Sequence, residues 1–486
     1  MKNGVKTWTD RIFDPFNIQF YFIVCTFFVE IPLLMGYMGW WKVIGLVWAA
    51  LTILYDLCTR RRCLESRGAL LAFCLLAAYA LTTLLVKFRY PAGYHETYLD
   101  LFCSVIALLI LYPPFEKERM GRLRLLDRTM ILLITLASAV GIGMFLLHVG
   151  GYFYSPINEY DYPVGFVSAR LTGIYRNAIY PTPLIGVGAA LIEWVQSKKL
   201  WGRLLLALSL LINCWHILLS NSRGPLIALA AMGGFFALFL IRRRLAGIVP
   251  WKAWGAGACA ALVLAGAMLG LAGPARRACG ALPVALRKLV AVSSPFPSMP
   301  TQGKPFQLPT EPAEIREDEM EREIPENYGA LTGRPAIWRQ GWQFFLKEPV
   351  FGYGPYALKD EVRISATGTE RLSHFHNILI QSLVSLGTVG TLFFLALLGA
   401  ALFPLCVALF RRREDPGYPV LVGISALLFS LLLINMADVT LFFLSKNSEF
   451  VFWTYLGFAL PLAGAKPLGM DRPLQRLSRR LPRWGN

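Results

Sequence analysis

Charge is scarce in this sequence. Of its 486 residues, 16% are Asp, Glu, Lys or Arg, whereas 56% are hydrophobic and 13% aromatic. Soluble domains carry about 25% charged residues. A soluble fold of this length cannot hide so much apolar surface, because burial on folding is bounded by surface-to-volume scaling. Disorder requires low hydrophobicity and is excluded too. Paired cysteines are also missing. The nine cysteines are odd in number; Cys25, Cys74, Cys103, Cys214, Cys259 and Cys406 lie in apolar runs, and none has metal-like spacing. Neither a disulfide framework nor a zinc module follows from them. Acids inside apolar stretches are few, Glu30 before Pro32, Glu193 and Asp438 among them. An ion-coupled transporter usually places a relay at the membrane midplane, and one mid-span glutamate supports that poorly. A polytopic membrane protein remains.

A membrane helix needs roughly 20 apolar residues. Stretches of this kind occupy 18–40, 43–58, 68–86, 98–112, 130–148, 180–196, 201–219, 226–241, 253–272, 388–410, 418–440 and 449–464. The expected fold is therefore all-α, with about twelve spans. It divides into spans one to nine (1–272), a large, partly helical loop (273–376), spans ten to twelve (377–464) and a basic tail (465–486). The first apolar run has no small-residue cleavage site and reads as a retained span. Lys and Arg recur at every second connection, including Arg60–Arg62, Arg119/Arg122/Arg124/Arg128, Arg242–Arg244 and Arg411–Arg413. The positive-inside rule then puts both termini in the cytoplasm. Most of the +18 net charge belongs to those rims, facing anionic membrane lipid, and calls for no nucleic acid.

The opposite face holds the long loop, where function is expected. Its 294–312 segment is proline-rich and its 311–326 segment acidic. The acidic run fits a solvated helix face better than a cation site. Pro335 and Pro349 bracket a helix in which Ile337, Trp338, Trp342, Phe345 and Leu346 form one stripe, packed on the membrane surface or on other spans. Arg334 at its start opposes the helix dipole; an anionic partner or plain surface exposure both account for it. Ser373 is a candidate cap for the tenth span. Gly387 and Gly390 allow close helix contact. His374 and His376 stand just before this span.

Two more connections on the same face carry arginines at headgroup depth: Arg170 and Arg176 in SARLTGIYRNAIYPTP, and Arg223 in the turn SNSRGP. Singly, each is accounted for by snorkelling to lipid phosphate. Together with Arg334 and the histidines they outline a pocket for an anion, and the guanidinium fork suits a lipid-linked diphosphate. The acid pair Glu159/Asp161 lies on this face without supporting metal ligands.

His376-Asn377, nine residues, then Gly387-x-x-Gly390 resembles the signature of bacterial O-antigen ligases. The SRG turn (222–224), GRPAIW and PVFGYG (349–354) resemble the wider family, which includes O-antigen polymerases and protein O-oligosaccharyltransferases. The resemblance implies a GT-C-like, metal-independent, inverting glycosyltransferase with no cofactor, working on the periplasmic face of the Gram-negative inner membrane. Its donor would be O-antigen on undecaprenyl diphosphate and its acceptor a terminal sugar of lipid A–core. His376 would be catalytic, and Arg176, Arg223, Arg334 and Arg170 would bind the diphosphate, with His374, Asn377 and Asp438 as auxiliaries. The resemblance supplies no role for 294–326.

A histidine base and fixed arginines suit this chemistry independently of the resemblance. A diphosphate leaves readily once its charge is stabilised, and the acceptor hydroxyl needs a group titrating near neutral pH. Two other readings stay open. An O-antigen polymerase would share the donor, and a lipid-linked glycan transporter would perform no chemistry.

Overall fold

The computed structural model describes residues 8–34, 39–89, 94–113, 119–147, 149–155, 160–167, 169–177, 181–245, 247, 249–280, 282, 334–354, 374–439, 441 and 447–480. The proline-rich and acidic segments 294–326, the Glu116/Glu118 pair, Glu159, Gly333 and Ser373 lie outside the described residues.

Each of the twelve apolar stretches falls on a helix, though the boundaries differ. In chain order these are α1 (Pro15–Val29), α2 (Gly39–Cys58), α3 (Ala69–Arg89), α4 (Tyr94–Ile106), α5 (Arg119–Leu146), α6 (Thr182–Gln196), α7 (Leu200–Leu219), α8 (Arg223–Arg244) and α9 (Pro250–Gly280). After α10 (Arg334–Lys347) come α11 (Ile378–Arg411), α12 (Tyr418–Asn435), α13 (Asn447–Leu462) and a terminal α14 (Arg472–Arg480). Among the described residues, eight helices are long and apolar enough to cross a membrane. Centrally placed α12 has most of its apolar window buried, whereas α9 packs chiefly on α8 and leaves nearly all of its side chains outside the bundle.

The helical architecture holds, with one addition and several corrected boundaries. Beside the helices, β1 (Gly150–Ser155), β2 (Tyr160–Val167) and β3 (Arg170–Gly173) form a small antiparallel sheet in the order β1-β2-β3. Aromatic and β-branched residues alternate there in runs too short for a span. The first span stops at Val29 instead of reaching 40, because Pro32 cannot continue the ladder. The fifth begins at Arg119, so Arg122, Arg124 and Arg128 sit on a helix instead of a connection; Arg122 pairs with Asp14, the cap of α1, at 2.6 Å. Near the C-terminus, Arg61 donates to the Ser478 carbonyl at 2.6 Å, and Asp471 accepts from the Gly68 and Leu70 amides.

The tenth span starts at Ile378, not 388, and it is broken at Gly387 (φ 63°, ψ −167°). A broken α-helix strands the amides of Thr388 and Val389 and the carbonyls of Val384 and Ser385. Segment 349–354 satisfies all four. Thr388 and Val389 donate to the Pro349 and Val350 carbonyls (2.7 and 3.3 Å), while Tyr353 and Gly354 donate to those of Val384 and Ser385 (2.8 Å each). PVFGYG is thus spliced into the helix. A Cβ on Gly387 would lie 2.2 Å from the Val350 oxygen, and one on Gly352 2.5 Å from the Val384 oxygen. Gly387 therefore serves backbone-to-backbone approach rather than ordinary helix contact.

The α10 stripe also divides. Gly341 and Phe345 are buried, with Ile337 and Phe344 joining them against Phe375, Ile380 and Val384 of the α11 side. Trp342 and Leu346 face outward.

Candidate active site

The candidate residues lie just before α11, about three helical turns ahead of the break at Gly387. Asn377 is the N-cap of α11: its side-chain oxygen accepts from the Leu379 and Ile380 amides, and its Nδ2 donates to the Met436 carbonyl at 3.3 Å. It thereby ties the start of α11 to the end of α12. Gln381, one turn on, accepts from the Phe375 amide at 3.0 Å and donates to Ser385 Oγ at 2.9 Å. Between these two anchors His376 is held at φ 51°, a left-handed conformation unusual outside glycine and asparagine, with strain of order 1 kcal/mol or more.

The strained backbone aims both histidines at Asp438, just beyond α12. His374 Nε2 lies 3.5 Å and His376 Nδ1 3.7 Å from Asp438 Oδ1, and the two rings meet edge to face at 4.2 Å. Asp438 Oδ1 is itself fixed by the Val439 amide at 2.8 Å. Asp438 is 7% exposed, His374 13% and His376 27%, so His376 is the ring most open to a substrate.

The three side chains are close enough for a metal ion, but the hydrogen bonding of His374 fits one poorly. Its Nδ1 accepts from the His376 amide at 3.3 Å, which places the proton on Nε2, facing Asp438. A metal-bound histidine instead donates its second ring N–H. The donor set suits a proton-holding cluster in which His376 Nδ1 faces Asp438 at 3.7 Å without a hydrogen bond among the described residues.

The structure distributes the arginines around other elements. Arg176 follows β3 in a loop whose amide donates to the Glu30 carbonyl at the end of α1 (2.8 Å). Its guanidinium lies over the Tyr162 ring at 4.9 Å and donates to the Tyr162 hydroxyl at 2.8 Å. Glu30 is buried and accepts from Thr182 Oγ1 at the start of α6, so this intramembrane acid pins the arginine loop to two helices. Neighbouring Tyr175 is buried against Ser138, and that burial pushes its phenol well above the ordinary range; it stays neutral.

Arg223 opens α8 and is exposed; Arg170 opens β3 and Arg334 opens α10, both half-buried. Arg170 and Arg223 belong to connected elements. Asn221, left-handed at φ 49°, donates to the Ala169 carbonyl at 3.2 Å and accepts from Arg276 of α9. Between the arginine loop and the Asn221 turn lies a small cavity lined by Tyr175, Asn177, Pro183, His216, Ile217, Ser220 and Pro225. His216 is 2% exposed, and neither ring nitrogen has a hydrogen-bond partner among the described residues.

Sequence reasoning missed Tyr162, Gln381, Asn221 and Arg276. Each acts through a partner distant in sequence or through a local conformation that residue type alone does not announce.

Residues 205–395 match the family model described as O-antigen ligase. The stretch runs from α7 into α11 and includes Arg223, Arg334, His374, His376 and the splice; Arg170, Arg176 and Asp438 lie outside it. The protein is a multi-pass membrane protein, and its 205–395 stretch is similar to the O-antigen ligase family, in agreement with the signature it resembles. It is also similar to the exopolysaccharide production protein ExoQ of Rhizobium meliloti (strain 1021), at 33% identity over 110 residues, covering 20% of this chain and 25% of that protein. The chain thus spans about a quarter of the length of that relative.

Proposed function

We propose that this protein is an inverting glycosyltransferase that moves a polysaccharide from a polyprenyl diphosphate to an acceptor hydroxyl, with His376 as general base. The observation that carries the reading is the His374–His376–Asp438 cluster between the start of α11 and the end of α12. Asp438 orients the His376 ring through Nδ1, leaving Nε2 to take the acceptor's proton. The apo separation of 3.7 Å tightens in the complex. As the acceptor oxygen bonds to the anomeric carbon, the carbon–phosphate-oxygen bond breaks and its electron pair leaves with the diphosphate. Arg176, Arg223, Arg334 and Arg170 stabilise the departing charge. No metal is required for these steps.

In its specific form the reaction is O-antigen ligation. The donor is O-antigen on undecaprenyl diphosphate and the acceptor a terminal sugar of lipid A–core. The enzyme has a GT-C-like fold in the Gram-negative inner membrane, with periplasmic chemistry and cytoplasmic termini. The match over 205–395 supports the ligase assignment. Similarity to an exopolysaccharide production protein favours a second reading, in which the acceptor is another lipid-linked glycan and the product is a longer polymer.

Purified protein is to be supplied with undecaprenyl-diphosphate glycan and lipid A–core in the presence of a chelator. Ligation predicts a ladder on lipid A–core. Lengthening of the donor-linked glycan alone would transfer the assignment to the polymerase. No product from verified substrates would abandon the enzyme reading for the transporter.

A further inference from the structure

We infer that the outward face of the β1–β2 hairpin is a carbohydrate-binding platform that holds the glycan of the donor beyond the repeat next to its diphosphate. This rests on the reading of the site as a transferase for a lipid-linked polysaccharide. The strand register gives the two faces. Paired residues in an antiparallel ladder point the same way, and successive residues alternate. Tyr152 pairs with Pro163 and Tyr154 with Asp161, so these four share one face. Tyr162 and Val164, on the other face of β2, are buried, so the first face looks outward. Tyr152 is 39% exposed, Tyr154 half-buried and Asp161 exposed.

The composition of this face selects its ligand. Two tyrosines two residues apart on one strand stand roughly 7 Å from each other and offer rigid, amphipathic area at small entropic cost. Their rings match the apolar C–H face of a pyranose. The Asp161 carboxylate opposite Tyr154 accepts sugar hydroxyls as charge-assisted hydrogen bonds. An anionic membrane surface would be repelled by that carboxylate, which favours a sugar over a lipid headgroup as the occupant.

Placement supports the same occupant. Tyr162, adjacent to Asp161 on the same strand, turns inward and bonds Arg176. One strand therefore presents a diphosphate-side group on its inner face and sugar-binding groups on its outer face.

Two measurements separate this inference from the transferase reading. In the first, full-length protein in nanodiscs is mixed with free polysaccharide released by mild acid from the native host's lipid-linked glycan. Saturation-transfer NMR is then recorded for wild type, Y152A/Y154A and Y152F/Y154F. The expected result is sugar C–H signal in wild type, a loss of at least fivefold in the Ala pair and retention in the Phe pair. Equal signal from wild type and the Ala pair overturns the platform.

The second measurement is transfer from donors carrying one repeat or many. The platform predicts about a tenfold rise in KM for the long donor in the Ala pair, kcat unchanged, and no effect on the single-repeat donor. An equal effect on both donors would show that this face does not act by holding the extended glycan and would overturn the inference. A wild type that binds free glycan but transfers from neither donor would overturn the transferase reading and leave the platform standing.

Discussion

The two sides of the candidate site are built by opposite means. His376 is positioned by backbone: the Asn377 cap and the Gln381 brace act on main-chain groups at the start of a helix whose break at Gly387 is closed by the spliced 349–354 segment. Arg176 is positioned at its tip by a side chain, the Tyr162 ring and hydroxyl. The difference matches the two chemical tasks. Proton transfer requires the base within hydrogen-bond reach of one oxygen, so its coordinates tolerate little error. Charge stabilisation of a diphosphate falls off gently with distance, so the arginines need reach more than fixity. Changes on the histidine side should therefore act all-or-none, and changes on the arginine side should be graded.

His376→Ala gives the largest expected effect. Removing a general base costs about 10²–10⁴-fold in rate, so kcat should fall by ~10³ while donor binding and thermal unfolding stay as in wild type. Activity within tenfold of wild type would remove His376 from the role of base. Gly387→Ala comes next and fails differently. The added Cβ meets the Val350 oxygen at 2.2 Å in a left-handed backbone, so about 3 kcal/mol or more of stability should be lost. A thiol-reactive melting assay should show a lower Tm, with transfer falling as folded protein is lost. An unchanged Tm would mean the splice adapts, and the backbone would then not be what fixes His376.

The arginine side should respond in steps. Arg176→Lys keeps the charge but loses the fork and its stacking on Tyr162, and should raise donor KM about tenfold. Tyr162→Phe keeps the ring under the guanidinium and removes one hydrogen bond of about 1 kcal/mol. Its donor KM should rise roughly fivefold with kcat little changed. If Tyr162→Phe instead abolished transfer outright, the contrast between a fixed and a graded side would collapse.

This contrast also explains what was legible in the sequence. Apolar runs located the helices, because lipid forces every spanning backbone into closed hydrogen bonding. The histidine signature and Asp438 could be named from residue type, since few ionisable groups occur near apolar runs. Gly387 was visible as a small residue and as part of that signature; that it breaks the helix depends on Pro349 to Gly354 supplying the missing bonds. The sheet went unread because its aromatics resemble a span's polar margin and its register depends on pairing across the chain. Tyr162 and Asn221 were hidden for the same reason: their value lies in Arg176 and Ala169, which composition does not place beside them.

The smallest expected effect lies at the other end of the bundle and is the control for the rest. Asp471 is fully buried and accepts from Gly68 and Leu70, docking the C-terminal segment to the start of α3. Asp471→Asn keeps the shape but turns one acceptor oxygen into a donor facing an amide, at a cost of about 1–3 kcal/mol. Tm should drop by a few degrees, since 1 kcal/mol shifts Tm by roughly 2–4 °C in chains of 150–250 residues and by less in longer ones. With the protein assayed well below its Tm, kcat and both KM values should match wild type. A change in donor KM without a change in Tm would mean that the docked tail communicates with the site through α3, whose Thr82 donates to the Phe351 carbonyl of the splice at 2.8 Å. The histidine side would then be set by the whole length of α3 and not by the splice alone.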